Sequence, residues 1–199
     1  IAPVKPANGS DKLFLKGGRK SGLWHLIGDA ATLASDHGGP AVLLIAEGYG
    51  TAASTHEATG HPVAVAFDAG NLGHVAKALR SQYPAALLVL CGDDDLQTLA
   101  DKGFNPGRDK ATAAARAVQG LAVFPTGLPD GGSDMNDLHQ HLGGVAGLAA
   151  VRSIVEAAID EHKAHQNAPQ ATPTAKAGKR SQSLNGERTE PQNASTSAG

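Results

Sequence analysis

Glu47 follows the apolar run LLIA, and Asp93, Asp94 and Asp95 follow the run AALLVLC. Asp68 and Asn71 come just after PVAVAF, and Asn136 and Asp137 lie in SDMNDLH, beyond the run LAVFP. Carboxylates gathered at one edge repel each other, and an uncompensated one is costly to bury. A hard cation held by their oxygens offsets both effects, and such sites bind Mg²⁺ together with substrate phosphates. In extended backbone alternate residues share a face, so Asp93 and Asp95 are expected to act as the ligand pair. Asp94 is expected to point the other way, to solvent or to a supporting position. Arg19, Lys20, Arg108 and Lys110 are the cations available as counterweights. Asp68, Asn71 and Asp134 also suit plain turn and N-cap roles, the commonest use of these residues after a strand. Tyr49 lies close enough to Glu47 to line the cleft.

These acids need elements that bring them to one edge. AVLLIA (41–46), PVAVAF (62–67), AALLVLC (85–91) and LAVFP (121–125) read as buried strands. Between them, residues 50–60 form a short helix stopped by Gly60. Residues 72–82 place Leu72, Val75, Ala76 and Leu79 at helical spacing, with Pro84 marking the end. Residues 107–119 favour helix, with Gly120 to stop it, and residues 145–162 form a last helix. Buried strands alternating with helices predict an α/β fold with a mainly parallel sheet covered on both faces. In such sheets ligands bind beyond the carboxyl ends of the strands, which is where the acids fall.

The segment LFLKGGRKSGLWHLI (13–27) reads as two apolar runs around a Gly-rich turn, a β-hairpin preceding the sheet. Lys20-Ser21 imitates the end of a phosphate-binding P-loop, but Arg19 and Phe14 stand where that motif needs glycine. The organisation expected is a lead-in over 1–40, a catalytic domain over 41–162 and a disordered tail or linker over 163–199. That tail is rich in Ser, Thr, Pro, Gln and Asn and nearly free of large apolar side chains. With an N-terminal Ile, it suggests a piece of a longer polypeptide with further domains.

Composition narrows the function classes. A net charge of -2 with 17 scattered Lys and Arg excludes a strongly basic surface that binds nucleic acid through phosphates alone. The single cysteine, Cys91, excludes an internal disulfide and a cysteine-rich zinc site, and suits a buried structural thiol. No stretch reaches the roughly 20 apolar residues of a membrane span, and no signal peptide is recognisable, so the expectation is a soluble cytoplasmic protein. His139 and His141 are two apart, unlike an i, i+4 metal pair, and the histidines are read as surface or packing residues.

A glutamate after the first strand of a small α/β unit, followed by Asp-x-Asp after a later strand, resembles the Toprim domain of bacterial primases, topoisomerases and some nucleases. More narrowly, EGYGTAAS (47–54) resembles the Glu-Gly-Tyr-Ala-Thr motif of conjugative-plasmid DNA primases of the TraC and Sog type and of a satellite-phage primase-helicase. AFDAGNL (66–72), GDDD (92–95), NPGRDKATAAA (105–115) and SDMNDLH (133–139) follow in the same order. Gly50 stands where the motif has Ala, a change expected to cost helix stability rather than chemistry.

The resemblance implies that Glu47, Asp93 and Asp95 are the catalytic and metal-binding residues. Glu47 would act in acid/base chemistry or metal positioning, and Asp93 and Asp95 would hold Mg²⁺ (or Mn²⁺) on the phosphates of an incoming nucleotide. Gly48, Tyr49, Asp68, Asn71, Asp94, Arg108, Lys110, Asn136 and Asp137 would bind substrate or support the site. The implied activity is synthesis of short RNA primers on a single-stranded DNA template from nucleoside triphosphates, in plasmid transfer or replication. The alternatives are a metal-dependent Toprim nuclease and a non-catalytic DNA- or metal-binding module of a mobilisation protein. With no zinc-binding cysteines and no obvious basic groove, weak or absent priming is expected of this piece alone.

Overall fold

The computed structural model describes residues 14–34 and 40–167. Two five-residue runs of uninterrupted apolar side chains form the centre of the sheet: β2 (Val42–Ala46) and β4 (Leu87–Cys91), every residue of both buried. They pair in parallel, with Val42 opposite Leu87 and Ala46 opposite Cys91. β3 (Val63–Val65) lies on the other side of β2, and β5 (Leu121–Val123) lies outside β4, both parallel. β1 (His25–Ile27) closes the β3 edge antiparallel, giving the order β1-β3-β2-β4-β5.

Strand alternation sends successive side chains to opposite faces, and each face has its own helical cover. Val42, Leu44, Ala46, Leu87, Val89 and Cys91 pack with α1 (Tyr49–Thr59), α5 (Met135–Leu142) and α6 (Gly144–Asn167) through Ala52, Ala58, Met135, Leu138, Val151, Val155 and Ile159. Leu43, Ile45, Leu88 and Leu90 pack with α2 (Leu72–Gln82) and α4 (Pro106–Ala117) through Leu72, Val75, Leu79, Ala114 and Ala115. A short helix, α3 (Leu96–Lys102), follows β4 and buries no residue. The α/β fold and the mainly parallel sheet with helices on both faces are as expected.

Two expectations change. The N-terminal hairpin does not form among the described residues: 14–24 contain turns, including Gly18 N–H to Leu15 C=O at 2.9 Å, and no strand. β1 pairs with β3 instead, because that exposed sheet edge supplies the backbone partners which a first hairpin strand would have supplied. At the other end, the helix expected to stop at 162 continues to Asn167. Glu161–His165 and His162–Gln166 contacts one turn apart support that extension. The expected tail from 168 onward, like residues 1–13 of the lead-in, lies outside the described residues. No described helix is long and apolar enough to cross a membrane.

Candidate active site at the carboxyl edge of the sheet

The chain leaves β2 for β3 on one side and then crosses to β4 on the other, so the winding reverses between β2 and β4. That reversal opens a crevice beyond the carboxyl ends of the two strands. Glu47 is the first residue after β2, and Asp93 the second after β4. Ala46 pairs with Cys91, the last residues of the two strands, so Glu47 and Asp93 both follow strand ends at this edge. Glu47, Asp93 and Asp95 are each half-buried.

Of the two positions expected for Asp94, solvent or support, the structure shows the second. Asp94 faces inward: it is 5% exposed, and its carboxylate takes a fork from Arg108, Nε at 3.1 Å and Nη2 at 2.7 Å, plus Asn105 Nδ2 at 2.7 Å. The Arg108 hydrogen bonds hold its pKa below the ordinary carboxylate value, against the opposing effect of burial. The solvent-facing position considered for Asp94 is therefore overturned, because one guanidinium and one amide are folded over it from the start of α4. Asp94 N–H also donates to Ser133 C=O at 2.6 Å, tying the loop before α5 to the site. Arg108 in turn lies over the Phe124 ring at 4.1 Å.

Asp95 is held by the same corner. One of its oxygens accepts from Gly107 N–H at 2.8 Å, at the N-terminus of α4, where the helix dipole favours an anion. Its own N–H donates to Asn105 Oδ1 at 3.1 Å, and the same oxygen caps α4 through Arg108 N–H at 3.1 Å. Gly107 has to be glycine: a Cβ there would stand 2.7 Å from Asp93 O and 3.0 Å from Asp95 Oδ2. Asn105 was missed as a site residue, although an Asn directly before Pro at a helix start is an N-cap signal.

The remaining expected residues fall into four groups. Gly48 is the N-cap of α1, its carbonyl accepting from Ala52 N–H at 3.1 Å, and Tyr49 stands at the helix start, 53% exposed, stacked on His25 at 6.1 Å between ring centres. Asn136 and Asp137 belong to α5, which the structure clamps onto α1. Asp134 and Asp137 form a reciprocal capping box, Asp134 Oδ2 accepts from Thr51 Oγ1 at 2.7 Å, and Ser54 Oγ meets Asn136 Oδ1 at 3.1 Å and His139 Nδ1 at 3.0 Å. The SDMNDLH segment thus steadies the helix that begins beside Glu47. Asp68 pairs with Lys20 at 2.7 Å; burial raises its pKa, but the Lys20 ammonium and the Gly70 and Asn71 N–H groups outweigh this and leave it lowered. Asn71, 2% exposed, is spent on backbone contacts to Gly22, Leu23 and Ala66. Lys110 is exposed on α4, and among the described residues no hydrogen bond or ion pair ties it to the acids.

A family model described as a Toprim domain matches residues 42–144, more than half of the 199-residue chain. The chain belongs to the Toprim family. The match runs from β2 through α5, so it takes in Glu47, Asp93–Asp95 and the clamp on α1. Two Escherichia coli proteins named DNA primase TraC are each 48% identical to this Toprim chain over 118 residues, 59% of its length. The chain spans only 11% of one and 8% of the other. No solved structure matches it.

Hard carboxylate oxygens suit Mg²⁺ or Mn²⁺. Among the described residues, however, no three His, Cys, Asp or Glu side chains are gathered closely enough to hold an ion by themselves. With Asp94 committed to Arg108, the acids at this Toprim edge that could donate to an ion are Glu47, Asp93 and Asp95. They fit an ion that takes one or two carboxylates and completes its shell with water and substrate phosphate, the usual mode for Mg²⁺.

Proposed function

We propose that this Toprim domain is the catalytic core of a DNA primase, joining nucleoside triphosphates into short RNA primers on single-stranded DNA in plasmid transfer or replication. The observation that carries the proposal is that β2 and β4 end in register, Ala46 opposite Cys91, at the switch point, with Glu47 just after one strand and Asp93 to Asp95 just after the other. The 48% identity to two proteins named DNA primase supports this chemistry over other uses of the same acids.

In this reading Asp93 and Asp95 would hold a divalent cation, which would supply positive charge to the triphosphate of the incoming nucleotide. When bound, that cation neutralises the charge that grows on the attacking and leaving oxygens. Glu47 takes the proton from the primer 3′-hydroxyl as its oxygen bonds to the α-phosphorus and pyrophosphate leaves. Positioning and charge supply most of what phosphoryl transfer requires, so the rigidity of the Asp94–Arg108–Asn105 corner matters directly.

The test uses single-stranded DNA, labelled ribonucleotides and Mg²⁺, with and without an annealed primer, beside a labelled-DNA cleavage control. Metal-dependent extension is expected, slow because the chain spans about a tenth of its relatives. It should stop with EDTA and fall about 100-fold or more in Glu47→Gln and Asp93→Asn, since even outer partners of metal ligands cost about 10–100-fold. Cleavage without synthesis would make the domain a nuclease. Neither activity, together with metal binding indifferent to Asp93→Asn, would make it a non-catalytic module.

A further inference from the structure

Beside the acidic crevice, on its β3 side, lies a recess of about 450 Å³ lined by Phe14, Leu15, Trp24 and Phe67 together with Arg19 and Lys20. Its large apolar side chains are open to solvent: Phe14 is 50% exposed, Leu15 84% and Phe67 39%. We propose that this recess is the grip for the single-stranded DNA template, with bases stacking on Phe14 and Phe67 and the backbone running along Lys16, Arg19 and Lys20. The inference rests on the primase reading and adds to it the template-holding surface that the overall charge of -2 conceals.

Three observations carry it. First, Phe67 sits at φ +67°. A bulky aromatic is rare in that left-handed conformation, which Gly or Asn adopts at lower cost, and such outliers cluster at ligand-binding positions. Val65 pairs with Ala46, so Phe67 is displayed just past the end of β3, next to the strand that delivers Glu47.

Second, the other wall is built rather than loose. Residues 14–24 form a strap fixed at one point by the buried Asn71, which accepts from Gly22 N–H at 2.8 Å and donates to Leu23 C=O at 3.0 Å. Lys20–Asp68 at 2.7 Å is a second anchor, and the Lys20 ammonium lies 4.8 Å from the Phe14 ring centre. Third, the strap sequence FLKGGRK holds three cations and no acid. Among the described residues neither Lys16 nor Arg19 has an ion-pair partner. A polyanion approaching an edge of carboxylates needs such compensation, and aromatic faces interleaved with cations are how single strands are held without reading their sequence.

The experiment measures anisotropy of a labelled oligothymidylate of about 12 nucleotides, and of a duplex of the same length, over a salt series in EDTA. EDTA separates binding from metal-dependent chemistry, so the primase reading and the grip stand or fall separately. Phe67→Asn, which suits the left-handed backbone, should keep or raise Tm and weaken single-strand binding about fivefold or more. Phe67→Trp should restore binding, Phe14→Ala should weaken it, and Arg19→Ala should make the log–log salt slope shallower by about 0.7. Wild-type binding in Phe67→Asn and Phe14→Ala overturns the proposal, as does duplex binding as tight as single-strand binding. A change in oligomeric state with unaltered DNA affinity also overturns it, since the recess would then be a contact between copies.

Discussion

At the residue scale the adjacent acids divide their work. Asp94 gives up access to solvent to fix the corner from which Asp93 and Asp95 project, and Arg108, 46% exposed at its side chain, bridges the buried carboxylate and the surface. Asp94→Asn should cost about 1.5–3 kcal/mol in urea unfolding, the range for hydrogen bonds to charged groups, and should slow any metal-dependent reaction while leaving Glu47, Asp93 and Asp95 in place. Cys91 is the opposite case. Burial pushes its thiol up to about 12, with the Thr55 hydroxyl pulling slightly the other way. It should therefore resist a thiol reagent in the native protein near pH 8 and react fully on denaturation. The burial of Cys91 was legible from its place at the end of an apolar run. The burial of Asp94 was not, because its partners Asn105 and Arg108 arrive from the start of another helix, α4, and alternation assigns a side chain to a face without saying what covers it.

At the element scale, two helices went unrecognised for different reasons. α3 buries none of its residues, so it has no apolar stripe to betray it, and Leu96 and Leu99 remain exposed. In α5 the N-cap role of Asp134 is legible in the sequence, and Asp134-x-x-Asp137, the spacing of a capping box, is the signal that makes it a helix start. Asp134 does two jobs, capping α5 and accepting from Thr51, so Asp134→Ala should destabilise by about 0.5–2 kcal/mol in urea unfolding, toward the upper end. Gly50 is a further test of the α1–α5 clamp. A Cβ there would meet the Asn136 side chain at 3.4 Å, ordinary contact, so the added methyl has room. Gly50→Ala should raise stability by roughly 0.4–1 kcal/mol through the unfolded chain's lost freedom and leave the chemistry unchanged.

At the scale of the whole molecule, stability should depend on acid pH in a defined direction. Asp94 and Asp68 both have folded-state pKa values below the ordinary 3.8, so the native state binds fewer protons than the unfolded one in that range. Their contribution is fully present above 3.8 and is lost as pH falls through the lowered values. Urea midpoints should therefore drop below pH of about 4, and Asp94→Asn should narrow its deficit to the parent as the pH falls. The sequence by itself determined the layers of this fold, because runs such as VLLIA and LLVLC are too apolar to be anything but central strands. It also put Glu47 and Asp93–Asp95 at strand ends, since a charge cannot continue a run buried on both faces. Tertiary structure decided which acids face the crevice and which is locked by Arg108. It also decided that residues 14–24 form a strap rather than a hairpin, and that Asn71 serves as a pin. Those outcomes depend on partners remote in sequence, whose pairing is set when β2 and β4 take their register and the helices close over them.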